Sequence, residues 1–195
     1  MLRIGLTGGI ATGKSTVSNY LKELAYPLID ADVIARQLVA PGQEGLERLV
    51  VRFGREILDE SGALNRQALG QRLFGDAQLR QEVDQLLHPL IYEALEAESQ
   101  RLAQAGAQLA FFDIPLLYET GYDQKMDQVW VVYLPHDLQV ERLMARNGWS
   151  QDQAEAAIAS QASIETKRQR ADLVIDNQGT LAATFAQVDQ ALSRL

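Results

Sequence analysis

The residues with the clearest chemical potential form a glycine-rich segment near the start of the chain. Residues 8–15 read GGIATGKS, which matches the pattern G-x-x-x-x-G-K-[ST], and the apolar run over residues 2–7 predicts a buried strand before them. A strand that leads through such a turn into a helix gathers backbone N–H groups around phosphate oxygens, where the helix dipole favours negative charge. The segment therefore predicts a site for a nucleoside triphosphate.

Four residues of this loop have separate expected tasks. Gly8 and Gly13 allow backbone angles and close approaches that a Cβ atom would block. Lys14 is expected to reach the β- and γ-phosphates, and the Ser15 hydroxyl to complete the ligand shell of a Mg²⁺ ion. The alternative interpretation is a plain glycine turn with an exposed lysine.

Three aspartates follow predicted strands. Asp113 closes an apolar strand over residues 109–113, where a carboxylate can hold Mg²⁺ directly or through water. Asp30 and Asp32 follow a shorter strand, at the edge where open α/β sheets bind their ligands. One of these two is a candidate to accept the proton of an attacking hydroxyl group. The alternative for each aspartate is a structural role as a turn residue or a helix cap.

The positive charge needed around a transferred phosphoryl group is expected from two basic clusters. Arg142 and Arg146 lie four residues apart on one predicted helix, and residues 167–170 read KRQR. Guanidinium groups stabilise charge that spreads over the equatorial phosphate oxygens. Residues 147–150, NGWS, predict a hinge-like turn between two helices, so this region is a candidate lid that excludes water. The alternative for both clusters is a solvated helix face.

Two further polar positions are candidates for binding. Asn177 lies in the turn over residues 176–179, after the last predicted strand, where it would be near the nucleotide base. An ordinary turn is the alternative. His88, within the sequence LHPL of residues 87–90, is a candidate contact for a second substrate, and a capping or core histidine is the alternative.

The composition limits the class of protein. A chain of 195 residues with 47% hydrophobic residues is long enough for one substantial domain, or for a core domain with a smaller insertion. Cysteine is absent, no stretch approaches the ~18 apolar residues of a membrane span, and the first strand begins at once, so we expect a cytoplasmic protein. The net charge of −8 argues against nucleic acid or a membrane as partner, and no obligate protein partner is evident.

Apolar strands alternate with amphipathic helices along the chain and predict a three-layer α/β/α fold with a parallel sheet. Residues 65–105 are predicted to be nearly all helix, with a bend or break at Pro89. We expect one domain over residues 1–195. Its nucleotide-binding core would comprise residues 1–32, 106–135 and 171–195, with a helical acceptor-binding insertion over 33–105 and a helical lid over 136–170.

These segments together resemble the dephospho-coenzyme A kinase family from end to end. The doubled glycine of the loop, followed in order by DAD and DIPLL, is far more specific than a phosphate loop alone. The matching pieces are residues 4–10 (IGLTGGI), 13–16 (GKST), 30–32 (DAD), 87–89 (LHP) and 113–119 (DIPLLYE), then Arg142, Arg146, Gln161, 171–172 (AD) and 176–179 (DNQG).

The resemblance implies a P-loop NTPase fold and an ATP-dependent, Mg²⁺-assisted phosphorylation of the ribose 3′-hydroxyl of dephospho-coenzyme A, the last step of coenzyme A synthesis. It implies that Asp32 faces the acceptor hydroxyl, that Arg142 and Lys14 are catalytic, and that His88 belongs to the acceptor region. The implied nucleotide-binding residues are Gly8, Gly9, Ala11, Thr12, Gly13, Lys14, Ser15, Thr16, Arg146 and Asn177. The family often has Arg-Ile about four residues before Gln161, whereas this chain has Ala157-Ile158.

Other functions compete with this interpretation. A different P-loop kinase would use the same chemistry on a nucleoside monophosphate or another small hydroxyl compound. For a GTPase-like switch, residues 59–62 match D-x-x-G but follow no strand, and no N-K-x-D motif is present. A nucleotide-binding assembly protein without turnover would leave Asp32, Asp113 and the basic clusters without a task.

Overall fold

The computed structural model describes all 195 residues. At its centre lies a five-stranded parallel sheet in which β1 is the middle strand. In the order β2-β3-β1-β4-β5 across the sheet, the strands are β1 (Leu2–Gly8), β2 (Leu28–Asp30), β3 (Leu109–Asp113), β4 (Gln128–Tyr133) and β5 (Leu173–Asp176). Strands β1, β3 and β4 are almost wholly buried, which explains their continuous apolar sequences.

Nine α-helices connect and flank these strands. They are α1 (Lys14–Glu23), α2 (Ala31–Leu38), α3 (Glu44–Phe53), α4 (Arg66–Leu73), α5 (Ala77–Gln104), α6 (His136–Asn147), α7 (Gln151–Ala159), α8 (Ile164–Gln169) and α9 (Leu181–Leu192). The chain divides into two compact units, one formed by residues 1–29 and 102–195 and the other by residues 30–101.

The first unit contains the sheet and its main core. Alternate residues of β1 and β4 point to one face of the sheet, where α1 and α9 pack against them. The rings of Phe111 and Trp130 meet edge to face there, with their centroids 5.2 Å apart. In register, Leu6 of β1 lies beside Asp113 of β3, so the phosphate loop and this aspartate leave the sheet at the same edge.

The second unit is helical and has a core of its own. The buried residues of that core are Val39, Leu49, Phe53, Ile57 and Leu69, with the partly buried side chains of α5 packed against them. Its helices α2 and α4 begin with side-chain caps, from Asp30 and Asn65 respectively.

The three-layer fold with a parallel sheet is confirmed, but of the bend or break expected at Pro89, the break is wrong. Helix α5 continues through Pro89 over its full 28 residues. A proline costs a helix interior about 3 kcal/mol or more through one lost hydrogen bond and a clash. Here Leu86 and Leu87 pack against the apolar core on one side of Pro89, and Leu90 and Leu95 are buried on the other. This packing outweighs the local penalty.

A smaller difference concerns the segment before β5. The six-residue helix α8 begins at Ile164 and contains the first three residues of the second basic cluster, and it was not expected as a separate element. No helix of the chain combines the length and the apolar character that crossing a membrane requires.

Candidate active site

The phosphate loop lies between the end of β1 and the start of α1. Gly13 immediately precedes α1 and has a left-handed backbone with a φ of 90°. A Cβ atom on Gly13 would collide with Nδ2 of Asn177, so glycine is required for space as well as for conformation. The Gly13 carbonyl accepts the N–H groups of Thr16 and Val17 at 2.9 and 3.4 Å, which closes the first turn of the helix.

A cavity of about 430 Å³ opens at this loop. Three of its lining side chains are cationic and none is a carboxylate, although the whole chain carries a net charge of −8. This local excess of positive charge favours a polyanionic ligand. The lining residues are Gly9, Ala11, Gly13, Lys14, Ser15, Arg142 and Arg146.

The ammonium group of Lys14 is paired with the carboxylate of Asp113. Asp113 is only 4% exposed, and its second oxygen accepts the hydroxyl of Ser18 from the next turn of α1. Because a buried carboxylate needs such partners, the two contacts fix Asp113 beside the phosphate loop. The residue after Lys14, Ser15, is exposed and lines the cavity.

Thr12 and Asn177 hold the inner side of the loop. Thr12 is fully buried, and its hydroxyl donates to the Gly9 carbonyl at 2.9 Å. Asn177 is 4% exposed; its Nδ2 donates to the Thr12 carbonyl at 2.7 Å and its Oδ1 accepts the Thr184 hydroxyl at 2.8 Å. The amide of Asn177 is thus used within the protein, and its expected place near the nucleotide base stays a prediction.

The two arginines of α6 differ in their contacts. Arg142 donates from one guanidinium nitrogen to the carbonyl of Asn177 at 2.9 Å, which directs this side chain along the cavity. Arg146 lies one turn further and donates to its neighbour Asn147 at 2.9 Å. Both side chains are exposed, so their remaining donors are accessible to a ligand.

The second basic cluster does not supply charge to the cavity. Lys167 is fully buried, Arg168 lies 4.7 Å from the ring centroid of Tyr133, and Arg170 pairs with Asp123 at 2.7 Å. None of the three lines the cavity. Lys167 is inside the protein, so for this residue both the contact with the transferred phosphoryl group and the solvated-face alternative are wrong. Arg168 and Arg170 are exposed, as the solvated-face alternative expected.

The candidate lid contacts the phosphate loop in this structure. Ile10 and Ala11 pack against an apolar cluster formed by α6 and α7. The N–H of Ile10 donates to Oε1 of Gln161 at 3.2 Å. Ala11 has a left-handed backbone with a φ of 63°, which is uncommon for a residue other than glycine. In residues 147–150, Gly148 is left-handed and Ser150 forms a capping box with Gln153 at the start of α7. The expected turn before a helix is confirmed, and its role as a hinge stays a prediction.

Asp30, the last residue of β2, and Asp32, two residues further on, differ in their contacts. Asp30 caps α2, because its Oδ1 accepts the N–H groups of Asp32 and Val33 at 3.0 and 3.1 Å. This is the structural alternative considered for Asp30. Asp32 lies in the first turn of α2, exposed, and its carboxylate makes no hydrogen bond or ion pair in the structure.

The polar and ring contacts of His88 lie within its own helix. Its Nε2 lies 3.7 Å from a carboxylate oxygen of Asp84, and its ring stacks on Tyr92 with centroids 5.8 Å apart. The side chain is 35% exposed. Neither contact assigns a ligand to His88, and its acceptor-binding role stays a prediction.

Several residues of the site carry no recognisable sequence signal. Ser18 and Thr184 are ordinary helix residues in the sequence, and each contacts its partner only because α1 and α9 pack on the sheet. Glu119 was included in the DIPLLYE segment without a role. In the structure it pairs with Lys167 at 2.9 Å.

A glycine-rich loop between a parallel strand and a helix, with a lysine paired to the aspartate of the adjacent strand, defines a P-loop nucleotide-binding protein. A family model for dephospho-CoA kinase matches residues 2–183. The chain is 47% identical to the dephospho-CoA kinase of Enterococcus faecalis over 97% of this chain and 94% of that protein. The chain belongs to the dephospho-CoA kinase family.

Solved structures agree with this assignment. A Thermus thermophilus protein superposes with a TM-score of 0.82 at 33% identity, covering 100% of this chain and 97% of that one. Dephospho-CoA kinase from Campylobacter jejuni superposes with a TM-score of 0.75 at 28% identity, covering 98% of this chain and 95% of that one.

Proposed function

We propose that the protein binds ATP in the cationic cavity and transfers its γ-phosphoryl group to the ribose 3′-hydroxyl of dephospho-coenzyme A, giving coenzyme A and ADP. The observation that carries this proposal is the placement of Lys14, Arg142 and Arg146 around one phosphate loop, in a chain of this family. Phosphoryl transfer needs positioned positive charge more than it needs covalent chemistry from the protein.

Lys14 is the proposed principal cation for the β- and γ-phosphates. Its ammonium is already held at the loop by Asp113, so Lys14 would need little reorganisation to reach the oxygens of ATP. The backbone of residues 8–16 would bind the remaining phosphate oxygens at the start of α1. Thr12 is proposed to contribute its backbone alone, because its hydroxyl is used by Gly9.

Ser15 and Asp113 are the residues proposed to hold Mg²⁺. A hydroxyl and a carboxylate are oxygen ligands that this ion prefers. Ser15 lines the cavity next to Lys14 in the chain, and Asp113 pairs with the ammonium of Lys14. No three acidic or histidine side chains are grouped as a metal site, so phosphate oxygens of ATP would provide further ligands. When bound, Mg²⁺ neutralises charge on the phosphates.

Asp32 is the proposed acceptor of the proton from the 3′-hydroxyl. Its carboxylate is exposed and makes no hydrogen bond, whereas that of Asp30 is committed to capping α2. An unpaired carboxylate can accept a proton or orient the hydroxyl as it attacks. Residues 33–105 are proposed as the acceptor-binding region, with His88 as a contact.

Arg142 is the proposed lid residue that stabilises the transferring group. Ala157 carries no charge at the position where the family often has arginine, so Arg142 would bear most of that task, with Arg146 on the nucleotide. We take residues 136–170 as the lid and residues 1–32, 106–135 and 171–195 as the nucleotide-binding core. A cytoplasmic location is proposed because ATP is supplied there.

The proposal is tested by direct assay of acceptor choice. The protein is incubated with Mg-ATP and dephospho-coenzyme A, and the product is identified by mass spectrometry, with NMR to place the phosphate on the 3′-oxygen. AMP, CMP and shikimate serve as alternative acceptors at equal concentration. Dephospho-coenzyme A should be phosphorylated well above all three, and Lys14→Ala should lower this activity at least ~100-fold. Faster turnover of a nucleoside monophosphate would instead identify a different P-loop kinase.

A further inference from the structure

Lys167 is a buried cation that the proposed reaction leaves without a task. Its side chain is 0% exposed and does not line the cavity. A lysine ammonium has three N–H donors, and here it meets three acceptors. These are the carbonyl oxygens of Gly8 and Pro115 at 3.2 and 3.0 Å and Oε1 of Glu119 at 2.9 Å. Every donor has a partner, which compensates the burial of the charge.

Two of these acceptors lie at the ends of the strands that carry the site. Gly8 is the last residue of β1, where the phosphate loop begins, and Pro115 lies two residues beyond Asp113 at the end of β3. The same Pro115 carbonyl accepts the hydroxyl of the buried Thr7 at 3.0 Å. The ammonium of Lys167 therefore bridges two segments: the end of β1, which precedes the phosphate loop with Lys14, and the residues that follow Asp113 after β3.

The third acceptor connects this bridge to the segment after α7. Glu119 also accepts the N–H of Ala162 through Oε1 at 3.0 Å. The neighbouring residue, Gln161, accepts the N–H of Ile10 in the loop at 3.2 Å. The end of the candidate lid is thus joined to the base and to the flank of the phosphate loop.

We propose that Lys167 is a positioning residue that sets the direction of the phosphate loop relative to Asp113. Without its two carbonyl contacts, the loop N–H groups and Lys14 would no longer be held at the spacing that the phosphates require. A displacement of about 1 Å in a catalytic arrangement can lower a rate by about 100-fold. The effect on transfer rests on the proposed function, whereas the effect on ATP binding does not involve the acceptor.

The test uses two variants that separate positioning from stability. Lys167→Met keeps an unbranched apolar side chain and removes the charge and its donors, but it leaves Glu119 without its cation. The double variant Lys167→Met/Glu119→Gln removes both charges, and the glutamine oxygen can still accept the N–H of Ala162. Because no buried charge is left unpaired, the double variant should recover most of the lost stability.

Ile164→Ala is the matched control. Ile164 is buried on the same helix, α8, and makes no polar contact with the loop, so its truncation lowers stability through a cavity alone. All variants are compared for melting temperature, for the Kd of Mg-ATP by calorimetry, and for kcat. Measurements are made well below the lowest melting temperature.

Both Lys167 variants should lose about 10- to 100-fold in kcat and bind Mg-ATP several-fold more weakly, whether or not the melting temperature is recovered. Ile164→Ala should keep both quantities within about twofold of the original protein. Normal kcat and Kd in the double variant would overturn the proposal, as would failure of both Lys167 variants to fold. If the original protein did not phosphorylate dephospho-coenzyme A but the change in ATP affinity appeared, the proposed function would fail and the positioning role would stand.

Discussion

The phosphate loop differs from the predicted acceptor residues in the kind of contacts that fix its side chains. Around the phosphate loop, the contacts join parts of the chain that are distant in sequence. Lys14 and Asp113 are 99 positions apart, and Asn177 reaches Thr12 across 165 positions. Each of these contacts exists only because the sheet has formed.

Within residues 30–101, the candidate residues make no polar contact with parts of the chain that are distant in sequence. The carboxylate of Asp32 makes no polar contact, and His88 interacts with Asp84 and Tyr92, each one turn away on α5. Lys14, Thr12 and Asn177 are thus fixed by the fold itself, whereas Asp32 and His88 make no polar contact with a distant part of the chain. Substitutions at the loop should therefore change stability and ATP binding together, and substitutions at Asp32 or His88 should change catalysis or acceptor binding without changing stability.

The largest effect is expected from Lys14→Ala. It removes a positioned charge that acts on the ground state and the transition state, so kcat/KM should fall at least ~100-fold, or about 3 kcal/mol. The melting temperature should fall modestly, because Asp113 loses its cation. Steady-state kinetics and thermal melting provide the two measurements. Arg168→Ala is the control for lost charge, since Arg168 does not line the cavity, and equal losses in both variants would contradict the assignment.

Asp32→Asn should lower kcat by ~100-fold and leave both the Kd of ATP and the melting temperature unchanged. Asparagine keeps the size of the side chain but cannot accept a proton, and the loose transition state places the loss at the lower end of the usual range. Calorimetry with ATP and single-turnover rates separate the two quantities.

Asp30→Asn is a matched control only two positions away. Asparagine is as good a helix cap as aspartate, so this variant should retain normal activity. If Asp32→Asn lost ATP binding but retained acceptor binding, Asp32 would be assigned to the nucleotide or the metal and not to the acceptor hydroxyl.

A smaller effect is expected at Arg142. Arg142→Lys keeps the charge but loses the planar fork, so kcat should fall at least ~10-fold, and Arg142→Ala should fall further. The Kd of ATP should change less, because the contact forms fully only in the transition state. Single-turnover kinetics compare the rate of phosphoryl transfer in Arg142→Ala with that in Arg146→Ala. Equal and slight losses would show that both arginines belong to a solvated helix face.

The smallest effect is expected at His88. His88→Ala should raise the KM for dephospho-coenzyme A about threefold with kcat and stability unchanged, since one partly exposed contact of ~0.6 kcal/mol would be lost. Asp84→Ala removes the neighbouring carboxylate and should leave KM unchanged. An unaltered KM in both variants would assign His88 to the helix surface.

The sequence was informative where the signal is local. Short sequence patterns predict the phosphate loop, the buried strands and the position of Asp113. These patterns are recognisable because an apolar strand followed by a turn has the same local sequence features in any part of a fold. The helical cap at Asp30 was also among the alternatives. Lys167 could not be understood in this way, because its three partners lie 48 to 159 positions away and nothing in KRQR distinguishes a buried cation from a solvated one.

Pro89 shows the opposite limit. Proline disfavours the interior of a helix, but at Pro89 the tertiary packing outweighs this local preference. Whether a penalty of about 3 kcal/mol breaks a helix depends on the apolar surface that the continuous helix buries. The helix buries this apolar surface against residues of α3 and α4. The sequence around Pro89 gives no information on where those residues lie.

The left-handed backbone of Ala11 has a consequence for the entropy of nucleotide binding. This conformation costs an alanine roughly 1–2 kcal/mol, and a glycine would adopt it freely. An alanine, however, samples fewer backbone conformations than a glycine, and packing of Ala11 against the cluster of α6 and α7 restricts it further. The freedom of this part of the loop is therefore lost during folding. An arriving triphosphate has less disorder to remove, and more of its contact energy remains as affinity.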